Sequence, residues 1–211
     1  MVQGKMGTPN YRVAASMLTK RMAFYAVIHL YAMTVLEKRL CINPEHVQLI
    51  ENDLSSLWLP DFYFEEMKVE EVGEDRSQAR DEMMQHVFRD MLTPVVQLLS
   101  KQVKLPERVM WENIVHYIFW LYEDIMHTVQ AAELKKRARE DFDYIIHKAR
   151  GNLFGSYASN PLTPFDRDLV FNEALNEPVR IRKTCCLAYL LDENEEEMCT
   201  TCPIPVHRKR E

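Results

Sequence analysis

The sequence predicts a mainly α fold of the α+β kind: a helical bundle with one small antiparallel sheet and an irregular C-terminal cysteine-rich segment. Three observations predict it. Glycine is scarce, five residues against twelve methionines in a chain of 211, which favours helix. Long stretches free of Gly and Pro carry apolar residues at helical spacing. Between residues 46 and 72 the texture changes to short aromatic and β-branched runs separated by turn formers.

Taken in order, residues 1–10 are polar, with Gly4, Gly7 and Pro9, and predict an irregular lead-in. From Tyr11 to about Leu40 there is no Gly or Pro, and Val13, Met17, Phe24, Val27, Ile28, Tyr31, Val35 and Leu36 recur as on a helix. The runs Val47–Ile50, Leu57–Leu59, Phe62–Phe64 and Met67–Val72 predict two to four short strands. Asp75 to Gln102 returns to helix, with Pro94 starting or kinking one segment. Pro106 sets up a helix from Glu107 to about Gln130, and Ala131–Arg150 follows as a charged helix stopped by Gly151. Residues 151–180 predict loops around one short helix near Asp166–Leu175. The organisation expected is one domain over 1–211. Residues 1–180 form its scaffold, with the small sheet near 46–72, and residues 181–203 form a separate cysteine segment.

Composition narrows the function classes. Apolar residues make up 47% of the chain, enough for a core, and a net charge of −6 argues against a nucleic-acid partner. The five cysteines are too few and too clustered for a secreted disulfide scaffold, so a reducing cytoplasm is the expected setting. The apolar run Met22–Leu36 falls short of the roughly 20 residues a bilayer demands and contains His29. It predicts a buried helix, with no stable membrane insertion and no signal peptide.

The chemistry concentrates at the end of the chain. Cys185 and Cys186 form a vicinal pair, a twelve-residue gap follows, and Cys199-x-x-Cys202 is closed by Pro203. Four thiolates suit a [2Fe–2S] cluster, a [4Fe–4S] cluster or structural zinc. Adjacent side chains in extended backbone point to opposite faces, so bringing Cys185 and Cys186 onto one small ion needs a turn. A wider two-iron cluster accepts such a pair more readily. Cys41 stands alone and reads as a buried structural thiol. His116 and His127 could share a helix face, but a di-iron site needs a second motif that the sequence lacks.

The run Arg182-Lys-Thr-Cys-Cys-Leu-Ala-Tyr189, followed by Cys199-x-x-Cys202-Pro203, resembles the C-terminal signature of the FhuF-like siderophore-iron reductases. Trp111-Glu-Asn113, opening an apolar helix, and Asn160-Pro161-Leu162 are similar to stretches of the same family. The gap between the cysteine pairs is longer here than is common in the family, and the excess falls in the acidic Asp192–Glu197. That insert reads either as a solubilising loop or as carboxylates that hold a cluster's potential low.

The resemblance implies a [2Fe–2S] cluster on Cys185, Cys186, Cys199 and Cys202 and a cytoplasmic ferric-siderophore reductase. One electron would pass to siderophore-bound Fe(III), and Fe(II) would be released. No catalytic group beyond the cluster is needed. The implied partners are an anionic ferric chelate and an electron donor such as a ferredoxin or a flavin reductase. Arg180, Arg182, Lys183, Arg150 and Arg167 are the candidate substrate cations. The competing reading is a zinc-stabilised interaction or regulatory module without catalysis.

Overall fold

The computed structural model describes residues 8–51, 58–173, 175–191 and 199–203. The expected lead-in over residues 1–7, the turn at Asn52-Asp53, Leu57, the acidic Asp192–Glu197 and the basic tail after Pro203 lie outside the described residues. The fold is mainly helical with small antiparallel strand pairs, as expected. Among the described residues, four helical rods surround one apolar core.

The first rod, α1 (Tyr11–Thr34), starts at Asn10, whose side chain accepts from the Arg12 amide and so satisfies an orphan donor of the first turn. Most of its length is buried. It ends six residues earlier than the periodicity predicts. Glu37 takes a left-handed backbone (φ 53°), and the chain enters strand β1 (Lys38–Ile42).

Strands β2 (Val47–Ile50), β3 (Asp61–Phe64) and β4 (Met67–Glu71) follow. They make two separate antiparallel pairs, β1–β4 and β2–β3, in place of the single sheet expected. Residues 38–42 are strand because of partners nearly thirty positions away. Lys38 lies opposite Glu71 and Arg39 opposite Glu70, and both pairs are ion-paired across the ladder. The β2–β3 pair turns Phe62 and Phe64 toward Tyr25 of α1.

The second rod runs from α2 (Arg76–Met84) through a π-helical stretch (Gln85–Leu92) into α3 (Thr93–Val103). Asp75 caps it by accepting from the Gln78 amide. Pro94 neither breaks nor begins the rod. A proline lacks the N–H donor and crowds the carbonyl four residues back, and the wide π turns just before it accommodate both demands. Met33 pairs with Arg76, Tyr25 with His86 and Arg12 with Val103, so this rod runs antiparallel to α1.

The third rod, α4 (Glu107–Thr128), is capped by Pro106 and packs on α1 more extensively than any other helix does. Asn113 meets Ser16, Phe24 meets Tyr117 and Thr34 meets Tyr122, so α1 and α4 run parallel. The last rod, α5 (Ala132–Asp143), is separate from α4 and ends in a π turn (Tyr144–Lys148). Asn160 and Thr163 donate to the carbonyls of Ile145 and Ile146, satisfying buried acceptors at the end of that helix.

Gly151 does not cap this helix, contrary to expectation. A Cβ there would stand 2.2 Å from the Tyr157 carbonyl, so the glycine permits a close crossing of two chain segments. The short helix expected near Asp166–Leu175 is also replaced. A 3-10 turn (Thr163–Phe165) leads into a hairpin of β5 (Val170–Asn172) and β6 (Glu177–Val179), turned by Asn176 at φ 54°. Asn tolerates that left-handed backbone, and Val170 and Phe171 suit a strand.

Candidate functional site

The cysteine segment is bound to α1 and α4 by buried polar contacts. Glu112, only 4% exposed, accepts from the backbone amides of Lys183 at 2.5 Å and Thr184 at 2.7 Å, and also from the Thr184 hydroxyl. Its neighbour Asn113 donates to the Ser16 carbonyl and hydroxyl and to Thr19, and accepts from Arg182 at 2.6 Å. Ser16 in turn donates to the Cys186 carbonyl at 2.6 Å. Trp111 donates through its indole N–H to Tyr157, whose hydroxyl donates to Glu107. Glu112 and Asn113 therefore fix the floor on which the cysteines rest, and Trp111 anchors the same helix to the loop at Tyr157.

Two local turns shape the cysteines themselves. Directly after the vicinal pair, Leu187 takes a left-handed backbone (φ 63°), and its amide lies 3.4 Å from the Cys185 sulfur. The Cys202 amide donates to the Cys199 carbonyl at 2.9 Å, folding the C-x-x-C into a knuckle. That knuckle is tied back to the vicinal pair by the Arg182 amide, which donates to Thr201.

These turns bring the sulfurs together. Cys186 Sγ and Cys199 Sγ lie 3.9 Å apart, and the Lys20 ammonium is 3.2 Å from Cys186 Sγ. Cys185 interacts electrostatically with both Cys186 and Cys202. All four are free thiols, with Cys186 buried and the others half-buried. Cys186 is held below the ordinary thiol value. A hydrogen bond with Cys199 lowers its pKa, and Lys20 adds to this against the opposing effect of burial. Cys199, its partner in that contact, is pushed up, and burial raises Cys185.

The thiols fit an iron–sulfur group in one measurable respect. Two thiolates about 2.3 Å from one tetrahedral ion stand roughly 3.8 Å apart, and Cys186 and Cys199 have that spacing. Among the described residues, no three His, Cys, Asp or Glu side chains close around a single point.

The candidate cations divide. Arg182 is 4% exposed and committed to Asn113 and the Thr184 carbonyl. Arg180 is pinned between Asp166 and Glu123, stacked 4.4 Å over Phe119, and donates to the Arg167 carbonyl. Lys183, Arg150 and Arg167 are exposed. Cys41 is half-exposed in β1 and lines a cavity of about 440 Å³ with Arg39, Lys68, Glu82 and His86, so the expectation of a buried thiol is corrected. Its strand is an edge strand over that cavity, which a one-residue sequence signal cannot show. His116 lies beside Arg182 and Lys20, and burial first and those charges second hold its pKa down at about 4.

Sequence reasoning missed Ser16, Thr19, Lys20 and the role of Glu112. Ser16, Thr19 and Lys20 are spaced i, i+3, i+4, a polar stripe on an otherwise apolar helix. That stripe was the available signal.

Fold and site together define a helical protein whose chemistry is gathered in four clustered thiols. The chain belongs to the ferric iron reductase FhuF-like transporter family, whose profile matches residues 29–198. The match takes in Cys185 and Cys186 and ends just before Cys199. Membership implies a ferric iron reductase role. No curated protein matches the chain. No helix among the described residues is long and apolar enough to cross a membrane.

Proposed function

We propose that the chain is a cytoplasmic ferric-siderophore reductase with a [2Fe–2S] cluster on Cys185, Cys186, Cys199 and Cys202. The observation that carries the reading is the 3.9 Å approach of Cys186 to Cys199 across twelve intervening residues, in a member of a ferric iron reductase family. The spacing of Cys186 and Cys199 suits two ligands of one iron. When bound, such a cluster supplies one electron to the Fe(III) of a ferric siderophore, which then releases Fe(II), because hard oxygen ligands hold the ferrous ion weakly.

The chain's own residues position and steer. Glu112, Asn113 and Ser16 hold the backbone of residues 182–186 against two helices, so the sulfurs are placed before any metal arrives. The half-buried Cys185, Cys199 and Cys202 leave one side of the site near solvent, where an anionic chelate can approach. Lys183, exposed two residues before Cys185, is a cation able to attract it. Arg182 and Arg180 serve the fold. The electron donor fitting this role is a ferredoxin or a flavin reductase.

Protein purified without oxygen should be red-brown, bleach with dithionite, and be reoxidised by ferric siderophores while a ferrous chelator traps Fe(II). Serine at any of the four positions should lose or destabilise the colour, and Cys41→Ser should leave it unchanged. A colourless protein carrying one zinc per chain would overturn the reading in favour of a structural module. Loss of colour in Cys41→Ser but not in Cys186→Ser would overturn the ligand set.

A further inference from the structure

We propose that Lys20 is a positioning residue that raises the reduction potential of the thiol site through its charged hydrogen bond to Cys186. This rests on the iron–sulfur reading above. The bond spans 3.2 Å between Nζ and Sγ and joins residues 166 positions apart, so it exists only through the tertiary fold. One helix supplies both ends of the grip on Cys186. Ser16 donates to its carbonyl, and Lys20, one turn further along the same face of α1, donates to its sulfur.

A half-buried ammonium on a largely apolar helix is costly unless a negative partner meets it. Among the described residues, the partner it meets is the Cys186 sulfur. Cys185 receives a weaker donor, the neutral amide of Leu187 at 3.4 Å.

Cys186 and Cys185 are thus electrostatically unequal. A positive charge against Cys186 favours added negative charge on that side, and hydrogen bonds to ligand sulfurs are a recognised control on potential. Removing the cation should therefore make reduction harder without removing a ligand. A Met side chain keeps the length and apolar stem of Lys20, Gln keeps a neutral N–H donor, and Arg keeps the charge. The potentials should fall in the order wild type ≈ Lys20→Arg > Lys20→Gln > Lys20→Met.

The test is a redox titration of each protein at one pH, with iron content and absorbance recorded first. Relative to wild type, Lys20→Met should show about tenfold less reduced form at a fixed potential, equivalent to about 59 mV for a one-electron couple. Lys20→Arg should stay close to wild type. High salt should leave most of the difference in place, because the contact is partly buried.

An equal or higher potential in Lys20→Met with full iron content overturns the proposal while leaving the cluster reading intact. Should Lys20→Met fail to hold iron, Lys20→Gln is read by the same criterion, with a smaller fall expected. A wild type without iron overturns the cluster reading and this proposal with it.

Discussion

The side-chain carbonyl of Asn113 accepts a 2.6 Å hydrogen bond from the guanidinium of Arg182, three residues before Cys185. The same Asn113 donates to Ser16 and Thr19, so one buried amide couples α1, α4 and the cysteine segment. Asn113→Leu keeps the volume but removes the shortest hydrogen bond of the buried Arg182, which retains the Thr184 carbonyl and Glu112 at 3.9 Å. We expect a loss of about 2–3 kcal/mol in urea unfolding, and faster reaction of Cys186 with a thiol reagent in the metal-free protein. Cys186 is 2% exposed, so protection is a sensitive readout. Unchanged stability together with unchanged protection would show that the strut is dispensable.

Glu112 grips the same segment from the neighbouring position, through two backbone amides and the Thr184 hydroxyl. Glu112→Ala should act in the same direction. The combined variant should lose less than the sum of the two single changes, by about 0.5 kcal/mol or more, because each releases one and the same segment. Strict additivity in a double-mutant cycle would mean that the two residues hold independent parts of the chain.

The four rods were legible because helical periodicity is local, and Tyr11 to Thr34 carries its signal within itself. The end of α1 was not, because Lys38–Ile42 becomes strand only when Met67–Glu71 lies beside it. No Gly or Pro marks the change. The hairpin at Val170–Val179 was hidden for a similar reason, since its turn relies on Asn176 and not on a glycine.

At the site, the cysteine spacing was readable and the residues that place it were not. Arg182 reads as a surface cation from its neighbours, yet its partner is 69 positions away on α4. Glu112 looks like a solvated helix carboxylate until the segment that fills its hydrogen bonds is packed on it.

At the opposite end of α1, Asp141 is 1% exposed and collects Arg76 through two 2.6 Å bonds, Arg80 at 3.2 Å and the Thr34 hydroxyl at 2.8 Å. It ties α5 to both α1 and α2. Asp141→Ala would leave two arginines, largely out of water, without their shared carboxylate. A loss of about 3 kcal/mol is expected, near the lower end for breaking a buried pair, because Arg76 keeps some access to solvent. Thermal unfolding of the variant measures it. A change below about 1 kcal/mol would mean that the arginines find new partners and that the clamp adds little.

The last prediction concerns acid sensitivity and arises from His29, buried in α1 at 1% exposure. Neither ring nitrogen has a hydrogen-bond partner among the described residues, and the ring lies against Tyr25 at 4.5 Å and His86 at 5.3 Å. Burial first, and the nearby His86 second, pull its pKa down to about 3. In the unfolded chain the value is about 6.5. The unfolded state therefore takes up a proton first as pH falls. The stability held through neutral His29 is complete above about pH 6.5 and is lost progressively downward toward the folded value. The slope is about 1.4 kcal/mol per pH unit, so about 2 kcal/mol should go between pH 6.5 and pH 5. His86, also lowered by burial, steepens the same limb. Phenylalanine suits the aromatic surroundings and has no nitrogen to leave unpaired. His29→Phe should match or exceed wild-type stability at pH 7.5 and lose less of it by pH 5, as read from urea midpoints at both values. Parallel losses in the two proteins would assign the acid limb to other groups.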